Sequence, residues 1–212
     1  MKHWISSFFK SEAPIGLKGV LVKYDQTKET SIESIHSVWR ELNEREVYKF
    51  DEFFNAYLYS SIIDRDILLL WTNYSKVLVD SKKNLYGRLL IMTLIEFLED
   101  INILLGKDLR PELIKNGMEN FVSQVNIVNK EFAVIKKQNN TVLRHIRNNA
   151  SAHKTKKAKD LIGFTRQEYF DNLNEITAKV FQNNIKLTEL NTKIMNVILK
   201  ELRGEIEHKP LS

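Results

Sequence analysis

The stretch from Leu85 to Leu105 constrains this chain more than any other, because it is the longest apolar run and reaches the length of a membrane-spanning helix. It also carries Arg88, Glu96, Glu99 and Asp100, which a lipid-facing helix does not tolerate. The run is therefore expected to be the central buried helix of a water-facing bundle. With only seven glycines and three prolines in 212 residues, and apolar residues recurring at three and four, the rest of the chain follows the same period. The expected class is all-α: an up-and-down helical bundle of about five to six helices. A chain that is 43% hydrophobic can bury one sizeable core, and nothing in it demands two.

The elements are expected as follows. Residues 1–30 form an irregular N-terminal segment docked on the body, broken by Pro14, Gly16 and Gly19, with Gly19–Tyr24 as a strand-like fragment. Residues 31–212 form the single helical domain. Its first helix starts near Ser31, carries Ile32, Ile35, Val38, Trp39 and Leu42 on one side, and fades near Tyr48. Asp51 caps a second helix that continues to Leu78, and Ser81–Asn84 is a polar connection to the central helix, which ends at Gly106 as a left-handed C-terminal residue. Pro111 opens the next element, followed by a stripe of Phe121, Val125, Val128, Phe132 and Ile135. Gln138–Thr141 interrupts that stripe before a short helix begun by Val142, Leu143 and Ile146. Lys154–Gly163 is a basic loop, and Thr165 with Glu168 forms a capping box for a last long helix whose tail frays from Gly204.

Several chemistries lose their support. There is no cysteine, hence no disulfide framework, thiolate zinc site or cysteine nucleophile, and with no secretory leader in view the expected location is the cytoplasm. The N-terminal patch around Trp4, Ile5, Phe8 and Phe9 is too short for a signal-peptide core and is expected to dock on the body, with no membrane partner. Histidines 3, 36, 145, 153 and 208 contain no i, i+4 pair, and Glu96-x-x-Glu99 lacks the histidine of a di-iron bundle, so no metal and no other cofactor is expected. Gly16-x-x-Gly19 is neither a phosphate loop nor a dinucleotide fingerprint.

Net charge is only +5, but its distribution is uneven. Lys136, Lys137, Arg144, Arg147, Lys154, Lys156, Lys157 and Lys159 share a window with no acidic residue, leaving 24 basic against 27 acidic residues elsewhere. A mildly acidic body with one basic segment is the distribution of a protein that meets a polyanion at one place. Inside that window, Arg144-His145-Ile146-Arg147-Asn148-Asn149-Ala150-Ser151-Ala152-His153-Lys154 supplies fixed cations, an orienting amide pair and a group that titrates near neutrality. Glu96 and Asp100 lie at i, i+4 on the central helix. Together with Arg88 and Glu99 they either pair with basic residues of neighbouring helices or reach solvent, or one of them orients the basic site from across a cleft.

Arg147-Asn148 followed by Ala152-His153, late in a small helical chain, resembles the Arg-x(4–6)-His motif of the HEPN (higher eukaryotes and prokaryotes nucleotide-binding) superfamily. The resemblance covers residues 60–200 as architecture and is tight only at 147–153. It implies a metal-independent endoribonuclease of toxin–antitoxin, abortive-infection or CRISPR defence, working as a homodimer, with an antitoxin or defence-system partner. His153 would be general acid or base, Arg147 would stabilise charge on the phosphate, and Asn148, Arg144 and Lys154 would bind the RNA, with Glu96 or Glu99 as site-orienting carboxylates. Thr155 stands where superfamily toxins paired with a nucleotidyltransferase carry a tyrosine, two positions after the histidine. On an unbroken helix, residues 147 and 153 would sit about 120° apart and about 9 Å along the axis, so the site requires a helix break near Ser151 or a second chain. The other reading of the same segment is a non-catalytic helical module that binds RNA, a nucleotide or a protein.

Overall fold

The computed structural model describes residues 17–146 and 172–207, and among these it is an all-α bundle in up-and-down packing with no strand. The helices are α1 (Leu17–Glu44), α2 (Asp51–Lys76), α3 (Asp80–Ile103), α4 (Arg110–Lys115), α5 (Val122–Ile146) and α6 (Leu173–Glu207). A π-helical segment, Leu104–Leu109, joins α3 to α4, and a 3-10 turn, Glu119–Phe121, precedes α5. No helix among the described residues is long and apolar enough to cross a membrane.

α3 is the central helix. Leu90, Ile91, Leu94, Ile95, Phe97, Leu98 and Ile101 are all buried, since α2 packs on one side of the helix and α5 on another. Beyond the first turn, the charged residues Arg88, Glu96, Glu99 and Asp100 fall within one arc of about 120°, which is why so apolar a stretch can carry them. Phe97 ties the layers together, stacked on Tyr59 of α2 (6.2 Å) and edge-on to Phe132 of α5 (5.3 Å). Each such fully buried aromatic contributes about 1.5–3 kcal/mol of transfer free energy.

Several local expectations are corrected. α1 starts at Leu17, not near Ser31, and Gly19–Tyr24 is helical rather than strand-like. Tyr24 and Lys28 dock on Asp64 of α2, and tertiary contacts of that kind override weak local propensity. Asp51 is the first residue of α2, not its cap; its carboxylate accepts the Trp39 indole N–H at 2.8 Å. Ser81–Asn84 belongs to the first turns of α3. Gly106 lies within the π-segment, and among the described residues the positive-φ positions are Glu46 and Gly117. A Cβ at Gly106 would come 3.0 Å from Asn129 Nδ2, so a methyl there would need that side-chain amide to give way.

Gln138–Thr141 does not interrupt α5, which runs on to Ile146. The Asn139 amide donates back to the Ile135 carbonyl at 2.8 Å, and Leu143 extends the buried stripe. The basic loop at 154–163, the Thr165/Glu168 capping box and the N-terminal segment before Leu17 lie outside the described residues.

Candidate functional site

Among the described residues, the basic side chains nearest the Arg147–His153 motif are carried by the end of α5. Arg144 and His145 occupy its last turn, where positive charge opposes the partial negative charge of the helix C-terminus. Arg144 is half exposed and forms an ion pair and hydrogen bond with Glu99 of α3, whose side chain is 24% exposed. Of the alternatives for the α3 carboxylates, Glu99 thus pairs with a basic residue of a neighbouring helix, and that residue comes from the motif-bearing segment itself.

A second interaction lies on the same arc of α3. Tyr59 of α2 donates its hydroxyl to Asp100 at 2.8 Å. Burial, the Asp100 hydrogen bond and the charges of Asp100 and Glu96 together hold the Tyr59 hydroxyl well above its usual pKa. Tyr59 therefore remains a proton donor and cannot serve as a base near neutral pH. Glu96 is exposed beside it. The patch thus combines three carboxylates, a fixed phenol and one guanidinium, and Arg144 keeps N–H donors beyond those facing Glu99.

Arg147, Asn148, His153 and Lys154 lie outside the described residues. Glu99 and Arg144 are brought together, and Glu96 and Asp100 share their face through Tyr59. Lys136 and Lys137, at the start of the basic window, sit on α5 with Lys137 exposed. Among the described residues no three His, Asp or Glu side chains converge closely enough to hold a metal ion. Two shallow surface grooves, of about 410 Å³ at Ser37–Arg45 and about 430 Å³ at Glu119–Lys130, are lined by none of the candidate residues.

Two polar centres escaped the sequence reading. Asp64 is buried at 4% exposure. It accepts from Lys28 Nζ (2.7 Å), the Tyr24 hydroxyl (3.0 Å) and Asn184 Nδ2 (2.8 Å), and so joins α1, α2 and α6. The signal was present: an aspartate inside Ile62-Ile63 to Ile67-Leu68, and the Asn183-Asn184 pair inside an apolar stripe. Glu112 of α4 accepts the backbone N–H groups of Glu52 (2.8 Å) and Phe53 (2.9 Å). It caps α2 in place of Phe50, whose side chain has no cap bond. No sequence signal links residues so far apart.

No protein-family model, no curated protein and no solved structure matches this chain.

Proposed function

We propose that this chain is a metal-independent endoribonuclease of the HEPN type, acting in the cytoplasm within a bacterial defence or toxin system and working as a homodimer. The ribose 2′-OH attacks the adjacent phosphorus, the P–O5′ bond breaks, and the products are a 2′,3′-cyclic phosphate and a 5′-OH. One proton leaves the 2′ oxygen and one reaches the 5′ oxygen, with His153 as general acid or base. Arg147 neutralises the charge that builds on the phosphoryl oxygens, and Asn148 orients the site. Arg144 and Lys154 contact the flanking backbone. This chemistry needs proton transfer and a fixed cation, which the residues at 144–154 supply.

The observation that carries the reading is the Arg144–Glu99 pair. It tethers the last turn of α5 to the rigid central helix three residues before Arg147, and such anchoring is what a site of fixed geometry requires. The basic window and the all-helical frame add support. One feature favours the second reading, a module that binds without cleaving: Glu96, Glu99 and Asp100 stand at the root of the basic segment and oppose a close polyanion. RNA digestion in EDTA separates the two. The proposal expects cleavage that His153→Ala and Arg147→Ala each abolish with helical circular dichroism unchanged. Salt-sensitive RNA binding without cleavage would support the module instead.

A further inference from the structure

We propose that α1 is a reversible strap, and that its 23–31 segment lifts off the bundle as a unit when the Asp64 latch opens. The two parts of α1 are held by different chemistry. From Ile32 onward the helix buries Ile32, Ile35 and Leu42, with Val38 and Trp39 packed partly beneath it. Along 23–31 the inward side chains are Tyr24 and Lys28, both bound to Asp64, with Lys28 Nζ 5.5 Å from the centre of the Tyr24 ring. At the edge, Glu29 pairs with Arg65.

The groups that hold this segment to the body are polar. Asp64 receives Asn184 from α6 as well as the two α1 donors. Ser60 and Ser61 of α2 and Thr177, Asn184 and Asn191 of α6 are also buried, and the α6 residues recur every seven positions on one face. The side-chain oxygen of Asn184 is buried without a partner. Lifting the apolar part of α1 would expose hydrocarbon to water. Lifting 23–31 instead exposes the Asp64 carboxylate and the Asn184 amide, which water can solvate, and the single ring of Tyr24, so the second opening costs less than the first. The body left behind keeps its own core: Phe53, Ile67, Leu90, Phe97, Leu98, Phe132 and Val180 are contributed by α2, α3, α5 and α6. The strap controls exposure of Asp64 and Asn184 without unfolding the bundle, in the manner of a low-stability unit on a high-stability scaffold.

The test is native-state hydrogen exchange on the full chain across a urea series. The expected result is that amides of 23–31 exchange together, through an opening with little urea dependence, while Leu90–Ile101 exchange only with global unfolding. Asp64→Asn should speed exchange of 23–31 by about tenfold or more and leave Leu90–Ile101 relatively unaffected. The double variant Lys28→Met/Asp64→Asn, which removes both charges and keeps an acceptor oxygen for Tyr24 or Asn184, should bring the rate back toward wild type. Three results would overturn the strap: 23–31 exchanging only with the core, rates graded from Leu17 as in end fraying, or Asp64→Asn leaving 23–31 unchanged. If Asp64→Asn does not fold, the wild-type profile and the double variant still decide.

Discussion

Arg144, in the last turn of α5, is ion-paired to Glu99 of α3, so the chain is fixed on the central helix three residues before Arg147. Both partners are partly exposed, and exposed pairs contribute little to folding, under about 1 kcal/mol. Glu99→Gln is therefore expected to leave the urea midpoint almost unchanged while lowering RNA cleavage by about tenfold through loss of positioning. Parallel urea melts and cleavage assays in EDTA check this. Equal loss of stability and activity would make Glu99 structural only.

The Glu112 cap predicts a pH dependence. Burial, with the nearby charges of Glu52 and Asp51, raises its carboxyl from 4.5 to about 7, against the lowering effect of the Glu52 and Phe53 N–H groups. An acid whose folded pKa is raised binds more protons folded than unfolded, so its contribution is full below about 4.5 and is lost as pH rises through about 7. Relative to Glu112→Gln, which keeps an acceptor oxygen but does not titrate, the wild type should lose stability between pH 5 and pH 8. Urea melts across that range measure the difference. A constant gap would show that Glu112 does not titrate there.

Glu46 holds φ at 58° in the turn after α1, where the Val47 N–H returns to the Leu42 carbonyl at 2.9 Å. This is the left-handed position at a helix end that glycine fills without steric cost. Glu46→Gly is expected to raise stability by up to about 1 kcal/mol, and Glu46→Val to lower it by at least as much. Thermal melts of the two variants, moving in opposite directions, check the assignment.

At Gly106, an added methyl would meet Asn129 Nδ2 at 3.0 Å. Gly106→Ala should change stability by less than about 1 kcal/mol, because the helix propensity gained by alanine opposes the shift forced on the Asn129 amide, and it should be stabilising in an Asn129→Ala background, where that amide is gone. Additive effects in the cycle would place the cost elsewhere.

The parts of this fold that were legible in the sequence are those written in local periodicity. Leu85–Leu105 reads as a central helix because it is the longest apolar run yet carries charges that lipid does not tolerate, and Phe121 to Ile135 reads as a stripe because its apolar residues recur at three and four. What misled was punctuation. Asp51 looks like a cap, yet the cap is Glu112, which reaches α2 from another helix. Gln138–Thr141 looks like a break, yet Asn139 bonds its own helix and the stripe continues to Leu143. Gly19 looks like a breaker, yet α1 extends through it. At the site, Arg144, Glu96 and Glu99 were legible as charges in a suggestive order, but their pairing depends on which helices cross, and Tyr59 gave no local sign of its bond to Asp100.

The most direct measurement is digestion of a defined single-stranded RNA by the purified full chain in EDTA, with product ends identified. The account predicts cleavage to 2′,3′-cyclic phosphate and 5′-OH ends, abolished by His153→Ala and by Arg147→Ala in variants that keep their helical circular dichroism. Full activity in both variants, or an intact RNA with the wild-type protein, would contradict it.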